Sequence, residues 1–340
     1  MSANSGSDLD GDLVGNLSRF GCWNVRTMNG REQELVAEMK KYRLDVLGVS
    51  EARVRGNGVK VIGDTTCVYS GVQGGRAKAG VAILLSEKFG RYLREWRCVD
   101  ERIVWIRLRI EAVWVSVVQV YAPTEDCSVS CKDEFFLRLQ ETTGRVASGD
   151  LLIVMGDMNA RVGNDTSIWG EVLGRHGEEV CNENGKRLLQ FSSEHNLWIS
   201  NTWFPHKRIH KFTWECRGRQ LRTLIDYFLV GKEARKQVID VKAVRGAEIG
   251  SDHYLVLMKI KLKVRKVKKS RQEGVRQQIK IQNLKDEKVR REYQAAITDL
   301  FEEACARERT LGKDVELAVW CAQRSETGMY LISMAFQCVY

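Results

Sequence analysis

The chain has 340 residues, of which 44% are hydrophobic and 29% charged, and it contains only 2 prolines. This composition excludes a collagen-like or low-complexity polypeptide and predicts a folded protein of one large domain or two ordinary ones. The formal net charge of +10 favours a polyanionic partner. No apolar run approaches the ~18 residues of a membrane span, so we expect no membrane partner.

The cysteines are scattered along the chain, and the closest two are Cys127 and Cys131. No C-x-x-C pair occurs, which argues against a zinc site. Scattered cysteines in a chain of this length are typical of a reducing compartment, and the N-terminus lacks the basic and apolar leader of a secreted protein. We therefore expect an intracellular protein.

The N-terminal part begins with residues 1–18, whose Gly/Ser/Asp-rich composition predicts a disordered leader. A strand is predicted over residues 19–26 and a helix over 31–42, where apolar residues recur on one face. The next strand, residues 44–50, runs directly into Glu51.

The following segments are rich in β signals. Two segments, 59–72 and 79–86, flank a group of glycines. Residues 103–110 alternate between apolar and polar, as in a half-buried strand, and 113–121 continues the sheet up to Tyr121. A helix is predicted over 132–146.

The most informative stretch of the chain is Leu151–Asp157 together with the two residues that follow it. Five apolar residues in a row predict a strand buried on both faces, and Gly156 ends that run. Asp157 and Asn159 follow at period two, so an extended backbone directs both side chains to the same side. An α/β sheet holds its ligands at the carboxyl ends of its strands, although a polar turn is the simpler alternative.

In the next part of the chain, the sequence predicts a helix over 184–196 and short strands over 197–201 and 211–214. It also predicts a strand over 224–230, which contains Asp226. A buried aspartate costs several kcal/mol unless it is paired or ligated, so Asp226 is a candidate functional residue. A closing strand is predicted over 255–262, just after Asp252 and His253.

The C-terminal part differs in composition. Nine basic residues and one acidic residue occur within 261–280. We predict a basic linker over 263–282 and a helical tail over 283–340, with one amphipathic helix over 284–306.

Seven carboxylate, amide or imidazole side chains thus lie at or just after predicted strands: Asn24, Glu51, Asp157, Asn159, Asp226, Asp252 and His253. Carboxylate and amide oxygens are the ligands that Mg²⁺ and Mn²⁺ prefer. Such a set suits phosphodiester hydrolysis, which needs phosphate charge to be neutralised and a water molecule to be activated.

Six short motifs carry a resemblance to a known family: Cys22-Trp23-Asn24-Val25-Arg26, Ser50-Glu51, Val120-Tyr121-Ala122-Pro123, Gly156-Asp157-Met158-Asn159, Ile225-Asp226-Tyr227 and Gly250-Ser251-Asp252-His253. In this order they resemble the motifs of the endonuclease/exonuclease/phosphatase superfamily, which includes pancreatic deoxyribonuclease and the abasic-site endonucleases. The chain is most similar to the endonuclease domains of RTE-type non-long-terminal-repeat retrotransposons and to the proteins called craniofacial development protein 2-like. Phe212-Thr213-Trp214 contributes to this closer likeness.

The resemblance implies a DNase I-like four-layer α/β sandwich over residues 19–262, with two packed mixed β-sheets flanked by helices. It implies that Glu51, assisted by Asn24 and Asp252, holds Mg²⁺, or alternatively Mn²⁺. It further implies that the catalytic residues are those that activate water, contact phosphate or orient the histidine: Asp157, His253, Asp226, Asn159 and Tyr121. The identity of the general base stays open.

We also expect nucleic-acid contacts from basic and aromatic residues close to these motifs and in the basic linker: Arg26, Trp214, Arg222, Lys266, Lys268 and Lys269. Many relatives place Arg or Gln just before the aspartate of the fifth motif, whereas Thr223-Leu224 stands there in this chain. A full retroelement protein continues into a reverse transcriptase, so the tail is expected to be a truncated linker towards an absent domain of that kind.

The sequence as a whole therefore predicts a Mg²⁺-dependent, retrotransposon-derived endonuclease that nicks DNA, with a nuclear location suggested by the basic linker. Two alternatives stay open: a catalytically inactive DNA-binding remnant, and another phosphoesterase of the same superfamily acting on lipid or RNA.

Overall fold

The computed structural model describes residues 16–75 and 78–262, together with five isolated positions at 287, 288, 291, 295 and 298. The chain divides into two compact units, Met1–Val267 and Lys268–Tyr340. Within the second unit the five described positions are helical and exposed, and Arg291 forms an ion pair with Glu287 at 2.8 Å. The remainder of the predicted helix over 284–306 lies outside the described residues.

The first unit is built mainly from strands, which in chain order are β1 Asn16–Asn24, β2 Val46–Ser50, β3 Asn57–Ile62, β4 Thr65–Ser70, β5 Val81–Leu85, β6 Leu93–Asp100, β7 Ile103–Ile110, β8 Val113–Tyr121, β9 Leu151–Asp157, β10 Leu197–Ile199, β11 Trp214–Cys216, β12 Leu221–Thr223, β13 Asp226–Gly231, β14 Val238–Val244 and β15 Leu255–Leu262.

These strands form two large mixed sheets and a small hairpin. The first sheet has the order β14-β15-β1-β2-β5-β4-β3, in which β1 and β2 are parallel. The second sheet has the order β10-β13-β9-β8-β7-β6, in which β8 and β9 are parallel. Strands β11 and β12 pair only with each other within a sheet. The parallel pairs β1–β2 and β8–β9 end at the same end of the sandwich, and the polar motifs lie there.

The α-helices are α1 Glu32–Lys41, α2 Glu87–Gly90, α3 Val129–Gly144, α4 Thr166–Trp169 and α5 Glu183–Glu194. Short 3₁₀ turns occur at Ser200–Thr202, Arg208–His210, Arg217–Arg219 and Lys232–Gln237. Side-chain oxygens cap the two helices on the second sheet, because Ser128 accepts from Cys131 N and Asn182 accepts from Gly185 N. None of the described helices is long and apolar enough to cross a bilayer.

Three apolar clusters bind the layers together. The central cluster lies between the two sheets and contains inward-facing residues of both, such as Phe20, Ile106, Met155 and Phe228. Helix α1 covers the outer face of the first sheet through residues such as Leu35. Helices α3 and α5 cover the outer face of the second sheet through their own apolar residues. The result is a four-layer α/β sandwich, which confirms the predicted fold class.

Several predicted boundaries were wrong. Strand β1 begins at Asn16 and pairs Leu17 with Lys261, so the last three residues of the predicted leader belong to the sheet. Residues 1–15 lie outside the described residues. The segment 59–72 is not one strand but the hairpin of β3 and β4, which turns at Gly63 with a φ of +63°.

Strands β6 and β14 were missed. Strand β6 is the edge of the second sheet and is exposed over four consecutive residues, so it lacks the alternation of a half-buried strand. Strand β14 has an irregularity between Val238 and Asp240 that interrupts its alternation. Strand β15, in contrast, has the bounds predicted for it, 255–262.

Candidate active site

The ends of four strands bring polar residues of both sheets to one end of the sandwich. In the first sheet the parallel register pairs Asn24 of β1 with Ser50 of β2. In the second sheet it pairs Tyr121 of β8 with Asp157 of β9. The antiparallel strand β13 places Asp226 opposite Asp157. The registers account for the convergence of these side chains within each sheet, and the packing of the two sheets brings the two groups together.

Asn24 connects the two sheets at this point. Its amide Nδ2 donates to Glu51 Oε1 at 3.1 Å and to Asp157 Oδ2 at 2.9 Å, and the residue is fully buried. Its Oδ1 accepts from the backbone N–H of Arg26 at 3.0 Å. Asn24 was expected to assist Glu51 as a metal ligand. In the structure it is instead a hydrogen-bonded bridge that directs its nitrogen, and not its oxygen, towards the carboxylates.

Glu51 lies on the more open side of this bridge. Its Oε1 also accepts from the Tyr121 hydroxyl at 2.9 Å, and its Oε2 accepts from Arg53 at 3.0 Å. The backbone of Glu51 has a φ of +51°, which is rare for a residue with a Cβ and turns the side chain into the site. Burial and the negative charges of Glu51 and Asp157 raise the pKa of Tyr121 far above its usual value, so the phenol keeps its proton.

Asp157, Asp226 and His253 form a second group, which we name the buried trio. His253 Nδ1 lies 3.0 Å from Asp226 Oδ2, and its Nε2 lies 3.9 Å from Asp157 Oδ2. The three side chains are at most 6% exposed. Water therefore contributes almost nothing to stabilising their charges, and each must be stabilised by its neighbours.

The protonation of the trio follows from this burial. Burial alone lowers the pKa of His253, but the charges of Asp226 and Asp157 outweigh that effect and raise the pKa to about 9. Burial raises the pKa of Asp157 to about 7, with a further increase from Asp226, while His253 and the Asn24 amide oppose the shift. Near neutral pH the trio therefore contains an imidazolium beside a carboxyl group that can both take up and release a proton.

Main-chain and hydroxyl groups hold the trio in place. The carbonyl of His253 accepts from Trp23 Nε1 at 3.0 Å, and its N–H donates to Ser251 Oγ at 3.1 Å. The Thr213 hydroxyl accepts from the N–H of Asp226 at 3.1 Å. Asp226 Oδ1 is buried and has no hydrogen-bond partner among the described residues, so it is a polar atom available to a ligand.

Asn159 is held beside Asp157 by two hydrogen bonds. Its backbone N–H donates to Asp157 Oδ1 at 2.9 Å, and its Nδ2 donates to the carbonyl of Ala122 at 3.0 Å. Its φ of +46° belongs to the left-handed region that asparagine tolerates better than most residues. The structure thus places Asn159 beside Asp157 through a left-handed turn after β9, and not through the extended backbone that the sequence predicts.

Asp252 occupies the exposed rim of the site. Its Oδ2 accepts from Trp214 Nε1 at 3.0 Å, and its Oδ1 lies 3.9 Å from Arg26 Nε. Both oxygens of Asp252 thus face donors of the chain itself, which places this carboxylate on the rim. Its role as a metal ligand stays a prediction.

The predicted nucleic-acid contacts fall into two groups. Arg26 and Trp214 lie on the rim beside Asp252, and Arg222 lies on the hairpin of β11 and β12, where its Nε donates to Glu215 at 2.8 Å. These three residues border the site. Lys266, Lys268 and Lys269 lie outside the described residues.

Sequence reasoning missed two contributors, Arg53 and Thr213. Arg53 lies two residues after Glu51, and a cation that close to a candidate ligand is a usable signal. Thr213 lies in the Phe212-Thr213-Trp214 motif, but its contact with Asp226, 13 residues later, depends on a loop that returns to β13, so the motif alone does not indicate this role.

Two positions in the site offer ligand atoms to a metal. The ligand atoms of the trio lie within 4.8 Å of one another, which is close enough for one cation to reach all three. When no metal is bound, the trio already contains a cation of its own, because the charges of Asp226 and Asp157 outweigh the effect of burial and raise the pKa of His253. Glu51 fits better, because it offers a carboxylate on the open side, and its partner Arg53 has a side chain that is 42% exposed and can be displaced.

Comparison with known proteins identifies the family to which this fold and site belong. Residues 21–253 match the Endonuclease/Exonuclease/phosphatase family, and the chain belongs to it. Craniofacial development protein 2 of Bos taurus is 32% identical over 252 residues, which are 74% of this chain and 42% of the bovine protein. The chain thus matches less than half the length of that relative.

Two solved structures are similar in fold. The AP endonuclease LMAP from Leishmania major has a TM-score of 0.56 at 16% identity, and the match covers 76% of this chain and 92% of that protein. The endonuclease domain of TRAS1, a telomere-specific non-LTR retrotransposon, has a TM-score of 0.53 at 17% identity, covering 73% and 99%. At these identities the two structures establish the fold.

Proposed function

We propose that the protein is a Mg²⁺-dependent endonuclease that nicks DNA by hydrolysing a phosphodiester bond. The observation that carries the proposal is the Asn24 bridge, which joins the exposed carboxylate of Glu51 to the buried trio. Phosphodiester hydrolysis needs a group that accepts a proton from water and a cation that stabilises charge on the phosphate. The trio offers both, as Asp157 and protonated His253, which lie 3.9 Å apart.

In this proposal each side chain has a separate task. Asp157, with its pKa near 7, takes the proton of the attacking water, and one P–O bond of the phosphate breaks as the new one forms. The imidazolium of His253 stabilises charge on the phosphate oxygens, while Asp226 holds the ring through Nδ1. Tyr121 stays protonated and donates a hydrogen bond.

Glu51 is the residue that would hold Mg²⁺, which when bound neutralises phosphate charge and stabilises the leaving oxygen. Its partly exposed carboxylate meets the requirement of a hard cation for oxygen ligands. Mn²⁺ has the same preference and is expected to replace Mg²⁺.

DNA as the substrate rests on charge and on named relatives. The net charge of +10 and the nine basic residues within 261–280 favour a polyanion. Arg26, Trp214 and Arg222 border the site, where a cation and an aromatic ring can contact a nucleic-acid strand. The structural neighbours include an AP endonuclease and a phosphatase bound to a DNA hairpin.

We further propose a retrotransposon origin and a nuclear location. The similarity in fold to the TRAS1 endonuclease domain supports the origin. The basic segment supports the location, since runs of Lys and Arg serve in nuclear import. The activity of the longer relatives as whole proteins is a separate matter, because this chain matches 42% of the bovine one.

The test is nicking of supercoiled plasmid by the purified full chain, with Mg²⁺ and with excess chelator. We expect relaxed circles with Mg²⁺, none with chelator, and a reduction of about 10²–10⁴-fold in rate for Asp157→Ala prepared in the same way. Nicking that persists in excess chelator would contradict the proposal, and so would a D157A variant that nicks at the wild-type rate. Binding without nicking would indicate a DNA-binding remnant, and parallel reactions with RNA or a 3′-phosphorylated oligonucleotide separate the remaining phosphoesterase activities.

A further inference from the structure

A single hydroxyl group ties the two sheets together beside the site. Ser50 ends β2 of the first sheet, and its Oγ donates to the carbonyl of Val120 in β8 at 2.9 Å. The same oxygen accepts from the backbone N–H of Asp157 in β9 at 3.2 Å and from Gln119 Nε2 at 2.8 Å. Ser50 is fully buried. One side chain of the first sheet therefore contacts two strands of the second.

Gln119 is an unusual residue for its position. It is fully buried between the sheets, close to Met155 of the apolar core, and its Oε1 has no hydrogen-bond partner among the described residues. A buried amide with an unsatisfied oxygen costs free energy relative to an apolar side chain of similar volume. Stability alone does not explain this glutamine. What its amide does accomplish is a hydrogen bond to Ser50 Oγ and another to Val120 O at 3.1 Å.

Gly48 makes the space that Gln119 occupies. A Cβ at position 48 would lie 1.9 Å from Gln119 Oε1 and 2.6 Å from Met155 Cε. The φ of Gly48 is not positive, so its backbone conformation does not require glycine, and the close approach of Gln119 does. Glycine in the middle of a strand is less stable than alanine, because it loses more backbone entropy on folding. Glycine at position 48 and glutamine at position 119 thus both lower stability, and both are needed for the hydrogen bond from Gln119 to Ser50.

The hydrogen bonds of Ser50 lie where they can control the separation of the two site carboxylates. Ser50 directly precedes Glu51 in the chain and binds the backbone of Asp157. Glu51 belongs to the end of the first sheet and Asp157 to the end of the second, so their separation depends on how the two sheets are held at this point. The Asn24 amide joins the two carboxylates themselves, whereas Ser50 joins the strands that carry them.

We propose that Gly48, Gln119 and Ser50 form a cross-sheet strut that sets the position of Asp157 relative to Glu51. Gln119 and Ser50 are positioning residues: they act through the backbone of Asp157, and Gly48 admits Gln119. The catalytic part of this proposal rests on the proposed function above, whereas its structural part does not.

The test compares Ser50→Ala, Gln119→Leu and Gly48→Ala in the full chain with the matched control Ser70→Ala. Ser70 is also a buried serine of the first sheet that donates across to the second, to the carbonyl of Asp100, but its bond involves β4 and β6. We expect kcat to fall on the order of 10- to 100-fold for the three strut variants with KM nearly unchanged, because a shift of about 1 Å in a reacting group costs that much. Ser70→Ala should keep the wild-type kcat.

Coupling between the variants tests whether the three residues act as one unit. Gly48→Ala should lower kcat by displacing Gln119. It should have little further effect in a Gln119→Ala background, where its Cβ meets only the flexible end of Met155 and the truncated side chain leaves room for that end to move. Likewise, Ser50→Ala combined with Gln119→Leu should reduce kcat no more than Ser50→Ala alone. Independent, multiplying reductions would overturn the proposal.

Amide hydrogen exchange tests the strut without any activity. Exchange in the peptide that contains the Asp157 N–H should accelerate in Ser50→Ala, Gln119→Leu and Gly48→Ala, and stay unchanged in Ser70→Ala. If Ser50→Ala fails to fold, exchange in Gln119→Leu and Gly48→Ala tests the strut in the same way. Unchanged exchange at Asp157 in the folded strut variants overturns the proposal. An inactive wild-type chain with the expected exchange pattern would contradict the proposed function and leave the strut supported.

Discussion

Asp157 and Glu51 lie on either side of the Asn24 amide, yet their surroundings differ sharply. The Asp157 side chain is 2% exposed, and the cation nearest to it is the similarly buried His253. The Glu51 side chain is 17% exposed, and its cation is Arg53, which is 42% exposed. One carboxylate is thus enclosed with its counter-charge, and the other is paired at the edge of solvent.

This difference in exposure indicates which of the two carboxylates can exchange its cationic partner. Removing one member of a buried ion pair leaves an uncompensated charge and costs several kcal/mol, whereas an exposed pair contributes about 0–1 kcal/mol. Arg53 can therefore leave Glu51 when a metal arrives, while His253 cannot leave Asp226 at similar cost. In the proposed function, metal binding therefore falls to Glu51, and proton transfer and charge stabilisation fall to the trio.

The largest effect expected from this division is on catalysis. His253→Ala removes the fixed cation of the trio, so the nicking rate should fall by about 10²–10⁴-fold and stay low when Mg²⁺ is raised. Glu51→Gln should also lower the rate, but raised Mg²⁺ should restore part of it, because the defect lies in metal affinity. Rates measured across a Mg²⁺ titration distinguish the two variants. Equal recovery of both would contradict the division.

A smaller effect concerns stability and pH. The folded protein raises the pKa of His253 from 6.5 to about 9, so the stability gained from its charged pair is fully present below pH 6.5 and is lost as the pH rises through 9. Asp226→Asn removes the partner at Nδ1. The difference in Tm between wild type and D226N should therefore be largest below pH 6.5 and shrink towards pH 9.

The control for this prediction is the same substitution in a chain without the imidazole. The control background also carries Asp157→Asn, because burial and the charge of Asp226 raise the pKa of that neighbouring carboxyl group to about 7. In a His253→Asn/Asp157→Asn background, Asp226→Asn should produce a Tm difference that does not narrow over this pH range. If it narrows as much as in the wild type, another group causes the pH dependence.

We expect the smallest effect from residues outside the site, in the basic linker. We expect Lys266, Lys268 and Lys269 to bind phosphates without taking part in chemistry. Replacing all three with Gln should flatten the plot of log affinity against log salt by up to about 0.9 for each lysine that neutralises a phosphate, and leave the rate at saturating DNA nearly unchanged. Binding titrations at several salt concentrations measure the slope. An unchanged slope would mean that these lysines do not hold DNA.

The sequence predicts much of this site because the polar residues follow strands, and strand ends are local features. Asp157 and Asn159 come after five apolar residues, and Asp226 starts an apolar strand, so single stretches of sequence indicate each of them. The resemblance of the six motifs then assigns their roles. The four-layer fold follows from the same resemblance, and the order of predicted strands and helices is compatible with it.

The remaining features depend on distances that no local pattern contains. The nitrogen of Asn24 faces Glu51 because its oxygen is held by Arg26 N–H, and Asp252 meets Trp214 because a loop brings residue 214 next to residue 253. Edge strand β6 was missed because both of its faces are partly exposed. The contacts of Ser50 and Gln119 cross between sheets and become visible only in three dimensions.

The most direct test of the division between Glu51 and the trio is Mn²⁺ binding to the full chain without substrate, measured by electron paramagnetic resonance. The comparison uses wild type, Glu51→Gln and His253→Ala. Loss of a partner that only supports a ligand commonly lowers metal affinity about 10- to 100-fold, so we expect E51Q, which alters the ligand itself, to lower the affinity for Mn²⁺ by at least about tenfold. H253A should leave it close to the wild-type value, because His253 contacts Asp226 and Asp157 rather than Glu51. Abolished Mn²⁺ binding in H253A with retention in E51Q would place the metal in the trio and contradict the division.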